Sequence, residues 1–336
     1  MPTRCLLPLL AIFQLFPALA YAVPGDILWL SDVPPIRAET ANAGKKTAHS
    51  RQGAVETNSG SSLGSSTKHL WLRRGDDLAN AHYVAAAAAP TADLVDAKGN
   101  RSHVAERPLN DLAHMKFTFE HLGFHNVYLS RRSIRDNVMC VQLAKAELLK
   151  GTCCKKLGDV DPAQMKAIRD PTQPLEIVRE HEPDEKLFTR IVSGDKVVFT
   201  IYRSGKRAAG IPVTLLTQNG WQKKAVSNGQ GQVEFTMIRD YFPAWSEFRR
   251  LTKHSFVVVA EAETSEAGMN GGQPFGRTVY QATLSGRYAV SPHDYRSYAW
   301  GLGITLFVVS FGGLAIYLYR RRRLKPFKEV RFHEST

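Results

Sequence analysis

Val197-Val198-Phe199-Thr200-Ile201-Tyr202, Ile211-Pro212-Val213-Thr214-Leu215-Leu216 and Val233-Glu234-Phe235-Thr236-Met237 are the stretches whose reading decides the fold class of this chain. Each is short and rich in β-branched and aromatic residues, and the third alternates apolar with polar side chains, as a half-buried strand requires. The breaks between them are turn chemistry. Arg203-Ser204-Gly205-Lys206 separates the first two, and Asn228-Gly229-Gln230-Gly231 precedes the third with two glycines that tolerate positive φ. Phe256 to Ala260 and Thr278 to Leu284 supply further strands, with Gly271-Gly272 between them. About seven strands in about 100 residues predict an immunoglobulin-like sandwich over residues 187–290.

Working backward, residues 68–150 show the same punctuation. Ala92 to Ala97 is followed by Lys98-Gly99-Asn100, Met115, Phe117 and Phe119 alternate, and Phe124 to Leu129 forms another strand-like run. A second β-sandwich-like domain is expected there. Val138 to Leu148 fits a strand by Val138, Cys140 and Val141 and a helix by Leu143, Ala144, Ala146 and Leu148, so periodicity leaves it open. Residues 151–186 are polar and proline-rich and read as a connector, with a short helix expected from Pro162 to Arg169. Residues 23–67 read as a flexible segment, because Asn58 to Ser66 holds almost no apolar surface to offset its ordering entropy. Ile27-Leu28-Trp29-Leu30 within it reads either as an edge strand or as a patch docked on the later domains.

The two ends of the 336-residue chain set its expected location. Residues 1–22 carry Arg4, an apolar run and small residues at Ala18, Ala20 and Ala22, the pattern of a signal peptide cleaved after Ala22 or Ala20. Residues 298–319 are uncharged and long enough to span a bilayer, with Tyr298, Trp300, Tyr317 and Tyr319 at its borders. Arg320, Arg321, Arg322 and Arg323 follow, and Lys and Arg flanking a span stay cytoplasmic. The expectation is a single-pass protein with its N-terminus outside, an ectodomain in the periplasm and its helix in a bacterial inner membrane. The basic cytoplasmic tail, residues 320–336, holds Arg320 to Arg323, Lys325, Lys328 and Arg331 against Glu329 and Glu334, a net +5. Of the total +13, about +7 is then left for the ectodomain, and no nucleic-acid partner is implied.

Cys140, Cys153 and Cys154 would remain after signal removal, so one disulfide and one thiol are expected from them. A vicinal Cys153-Cys154 metal or redox site is the sharper reading, without a CxxC spacing to support it. His114, Met115, His121 and His125 are the candidate metal ligands, with His69, His82 or His103 as further members. A hairpin would bring such imidazoles together, and two or three His with Met suit copper or nickel. Surface or hydrogen-bonded histidines are the plainer account. Tyr241, Phe242, Trp245, Phe248, Arg249 and Arg250 form a candidate interface, since aromatics and arginine dominate binding hot spots.

The run Gly194-Asp195-Lys196-Val197-Val198-Phe199, Gly205-Lys206, Gly210-Ile211-Pro212-Val213-Thr214-Leu215 and Ser227 to Phe235 resembles the immunoglobulin-like domains of bacterial exported proteins associated with nickel and cobalt uptake. It covers about a third of the chain. The resemblance implies a β-sandwich without chemistry of its own and an association with nickel, cobalt or copper through exposed histidines. The mature start Val23-Pro24-Gly25-Asp26 lacks the histidine common in that family. No GxSxG, HExxH or Gly-rich phosphate loop is present, and Glu180-His181-Glu182 reads as a solvated charge run. The sequence thus predicts a non-enzymatic, membrane-anchored binding or accessory protein of an envelope assembly, with other envelope or membrane proteins as partners. The alternative is a scaffolding subunit whose helix docks into a membrane complex, with Ala299 and Gly303 as a small-xxx-small pair.

Overall fold

The computed structural model describes residues 26–35, 66–88, 90–104, 109, 111–151, 162–181, 190–240 and 253–323. In chain order the strands are β1 (Ile27–Ser31), β2 (Ser66–Gly75), β3 (His82–Tyr83), β4 (Ala92–Val95), β5 (Arg101–Val104), β6 (His114–Phe119), β7 (Gly123–Arg135), β8 (Val138–Lys150), β9 (Leu175–Arg179) and β10 (Ile191–Val192). They continue as β11 (Lys196–Arg203), β12 (Lys206–Arg207), β13 (Pro212–Thr217), β14 (Gln222–Val226), β15 (Gln232–Thr236), β16 (Lys253–Thr264), β17 (Gly268–Asn270), β18 (Gln273–Phe275) and β19 (Arg277–Ala289). One helix follows, α1 (Pro292–Arg323). The chain is therefore mainly β with a C-terminal apolar helix.

A nine-stranded sheet, β14-β13-β16-β19-β8-β7-β4-β5 with β10 also on β19, runs through both segments expected to be separate sandwiches. Its joint is parallel: β8 pairs with β19 from Val138↔Arg277 to Ala146↔Ser285. β8 explains its own ambiguous pattern. Met139, Val141 and Leu143 enter one apolar core while Ala144 and Ala146 enter another on the opposite face. A strand buried on both faces shows no clean alternation.

The sheet β12-β11-β15, with β9 on β11, covers one face of the central sheet and buries Phe199, Phe235 and Phe256. The sheet β1-β2-β3, with β6 on β2, covers the other face through Leu28, Leu30, Leu70, Leu72, Phe117 and Phe119. Ile27-Leu28-Trp29-Leu30 is thus a buried strand: even residues enter that core, while Ile27 and Trp29 pack on Val257 and Val259 of β16. In the expected Asn228 to Gly231 turn only Gly231 adopts positive φ, and Asn228 Oδ1 accepts from the Gln230 and Gln232 amides.

The connector is less idle than its composition suggests. Pro162–Met165 forms a 3₁₀ turn in place of the expected helix. It seats on Gly123, where φ is +117° and an added Cβ would lie 2.4 Å from the Gln164 carbonyl oxygen. Farther on, Glu176 on β9 accepts from Lys145 Nζ at 2.7 Å, from Tyr128 OH at 2.8 Å and from the Asp170 amide at 3.0 Å. Lys145 also reaches the carbonyls of Ile168 and Ile177, and Arg101 pairs with Asp170. Tyr128, Lys145, Asp170 and Glu176 are buried, so each lost hydration bond needs this replacement.

Candidate binding cleft

The joint between β8 and β19 ends before either strand does. Past Ala146↔Ser285, β8 stays with β7 as far as Lys150↔Gly123, and β19 stays with β16 as far as Ala289↔Lys253. β10 then takes the vacated edge of β19 at Ile191↔Tyr288. A fork in the sheet results. The split opens a cleft of about 340 Å³ between Glu147–Leu149 of β8 and Gly286–Ala289 of β19.

Its apolar wall includes Trp29, Leu30, Phe124, Phe199 and Leu284. Gly286 shapes this wall, because the Phe256 ring lies across it so closely that a Cβ there would come within 2.4 Å of Cζ. Its charged lining is Lys68, Arg179, Arg190, Lys253 and Arg287 against Asp32 and Glu147. The two carboxylates are already engaged. Arg287 contacts Asp32 at 2.6 Å, and Glu147 receives Arg179 at 3.3 Å and His181 at 3.2 Å. Arginine only donates, so His181 Nδ1 accepts from Arg179 at 2.8 Å and its Nε2–H is left to donate to Glu147.

Burial alone would raise the Glu147 carboxyl, yet the hydrogen bond from His181 and the charges of Arg179 and Lys145 hold it down to about 2. Lys253 is pushed below the usual lysine range, first by burial, then by Arg190, Arg287 and Lys68, with Asp32 pulling the other way. Among the described residues Lys68, Arg190 and Lys253 have no carboxylate within ion-pair distance. The cleft therefore gathers uncompensated positive charge beside an apolar wall, an arrangement that receives an anionic group carrying some hydrocarbon.

The candidate metal ligands are distributed differently. Strand alternation sends Met115 into the apolar core and His114 to the other face, opposite Trp71 of β2. There His114 Nε2 lies 2.8 Å from His69 Nδ1, with the rings stacked at 5.0 Å. His125 is buried against Phe119, ring centroids 4.4 Å apart, and its Nε2 donates to the His121 carbonyl at 2.9 Å. Burial lowers the pKa of His125, and burial followed by the charges of His114 and Lys116 lowers that of His69. So His114, Met115, His121 and His125 do not form one ligand set: the structure joins His69 with His114 and, separately, His121 with His125. Among the described residues no group of three or more His, Cys, Asp or Glu is placed to hold a metal.

Cys140 is unpaired among the described residues, and Cys153 and Cys154 lie outside them, as do residues 1–22 and the interface candidates Tyr241, Phe242, Trp245, Phe248, Arg249 and Arg250. The residue before that last stretch is firmly held: Asp240 accepts from Thr217 and from Tyr288. Beyond β19, Ser297–Arg323 of α1 is long and apolar enough to cross a membrane, with a mean hydropathy of 2.0 in its most apolar stretch. That stretch is unburied. Trp300, Phe307 and Val309 each expose about two thirds or more of their surface.

No family model and no curated protein matches the chain. Solved structures similar at a low level include a biofilm-associated protein BSP domain, at 10% identity and TM-score 0.16, and a 1.5-MDa bacterial ice-binding adhesin, at 13% identity and TM-score 0.17. Each match covers 67% of this chain, which spans 27% and 59% of those two chains.

Proposed function

We propose that this chain is a single-pass, non-enzymatic binding or accessory protein of a bacterial envelope assembly, with its β portion in the periplasm and α1 in the inner membrane. The observation that carries the reading is α1 itself. Its apolar side chains are exposed on all sides from residue 298 to residue 319, a length of about 33 Å that matches a hydrocarbon core of about 30 Å, and four arginines close it. Water would not tolerate that surface, whereas lipid or a partner helix would cover it. The basic cleft gives the β portion a place to bind, and the scaffolding alternative draws on the same bare helix. Alkaline-carbonate extraction of membranes tests the anchor: wild type should stay in the pellet, and release into the supernatant would contradict it.

A role with nickel, cobalt or copper would rest on His69 and His114. Titration of each metal into wild type and into a His69→Ala/His114→Ala variant decides it, equal binding by both removing that role.

A further inference from the structure

The sheet fork lies next to the membrane span in the chain. Arg287 is on the last turn of strand before α1, and Ser297 begins the apolar stretch. Four residues of extended chain and five of helix separate the two, so Arg287 lies within about 25 Å of the point where α1 enters hydrocarbon. The strands are also held to the helix there. The Arg239 guanidinium sits 5.0 Å from the Tyr298 ring centroid and donates to its hydroxyl. Lys253 is paired with Ala289 across β16 and β19, so it shares this end of the sheet.

We propose that the cleft binds the phosphate headgroup of an anionic membrane lipid. Lys68, Arg190, Lys253 and Arg287 supply the charge, the last by exchanging Asp32 for the phosphate. The proposal rests on the membrane-anchored reading above. Three features point to this ligand class. Burial first, and then the charges of Arg190, Arg287 and Lys68, depress Lys253, and an anion among these cations relieves their mutual repulsion. Arginine binds phosphate oxygens bidentately, and a desolvated wall beside it strengthens the contact. The volume of about 340 Å³ with Trp29 and Leu30 along it suits a glycerophosphate group rather than a bare ion. A soluble phosphate compound shares the chemistry, but only a lipid is delivered by the anchor at high local concentration.

The test is native mass spectrometry of the full-length protein released from mixed micelles that contain phosphatidylglycerol or phosphatidylcholine, or phosphatidylcholine with inorganic phosphate in solution. Wild type should retain phosphatidylglycerol at least about tenfold more than phosphatidylcholine, with the excess falling as salt rises. The Arg190→Gln/Lys253→Gln/Arg287→Gln variant should lose the excess. A surface variant of equal charge change, Lys206→Gln/Lys223→Gln/Lys224→Gln, should keep it. Asp32→Asn, which frees Arg287, should retain more phosphatidylglycerol than wild type, so the proposal does not hang on a variant that fails to fold. Equal loss in both triple variants, or no gain in Asp32→Asn, would overturn the site. Phosphate retention matching that of the lipid would overturn the lipid assignment. Carbonate extraction read in parallel separates the two levels: a protein that stays anchored yet shows no lipid preference sinks the cleft alone, and a protein released from membranes sinks both.

Discussion

Lys145 of β8 and Glu176 of β9 meet at 2.7 Å between the central sheet and its covering sheet, each side chain no more than 5% exposed. The pair ties the connector to the sheet joint, because Glu176 also holds the Asp170 amide and Lys145 also holds two carbonyls. Removing one partner strands a buried charge, which typically costs about 3–5 kcal/mol. Glu176→Ala should therefore lower stability in urea unfolding by that amount, and Lys145→Met/Glu176→Leu by much less. Equal costs for the single and double variants would mean the pair is not coupled.

Gly286 faces Phe256 directly across β16 and β19. Any side chain there must displace the ring from the core, and overpacking of this kind costs about 1–3 kcal/mol. Gly286→Val should lower the melting temperature, with Phe256→Leu in the same chain restoring part of it. A neutral Gly286→Val would show that the ring does not occupy that position.

Acid should weaken the fold in two windows. His125 is depressed in the folded state, so the unfolded chain takes up the proton first and stability falls as pH drops below about 6.5. Glu147 is depressed to about 2 against an unfolded value of about 4.3. Its contribution, about 3 kcal/mol, is fully present above the unfolded value and is lost as pH falls toward 2. Denaturant midpoints measured against pH should lose part of the upper step in His125→Phe and the lower step in Glu147→Gln; His69 keeps its own share of the upper step. An unchanged profile in both variants would contradict the burial of these groups.

The β character of the chain and its apolar helix were legible because both are local. Val233, Phe235 and Met237 alternate into a core, Gly271 and Gly272 both take positive φ in the turn between β17 and β18, and α1 is uniformly apolar. The joint of β8 with β19 was not legible. A parallel pair between residues 138–146 and 277–285 leaves no mark on either stretch beyond apolar residues on both faces of β8. The cleft was hidden for the same reason: Asp32, Lys68, Arg190, Lys253 and Arg287 come from five separate stretches and show no spacing. Composition hid Glu176 and Asp170 too, since a buried network in a connector looks like a solvated charge run until its partners are placed. The histidines illustrate the reverse. Adjacent positions in a strand point apart, so His114 and Met115 could not share one ligand set on a single face.

Everything said of location turns on which side of the membrane the strands occupy. Single-cysteine variants in a Cys5→Ala, Cys140→Ala, Cys153→Ser and Cys154→Ser background, one at Met269 in the exposed β17 and one at Ser335 in the tail, can be treated with a membrane-impermeant maleimide in intact spheroplasts. A periplasmic β portion gives labelling at 269 without permeabilisation and at 335 only after it. Labelling at 335 in intact spheroplasts, with 269 protected, would contradict it.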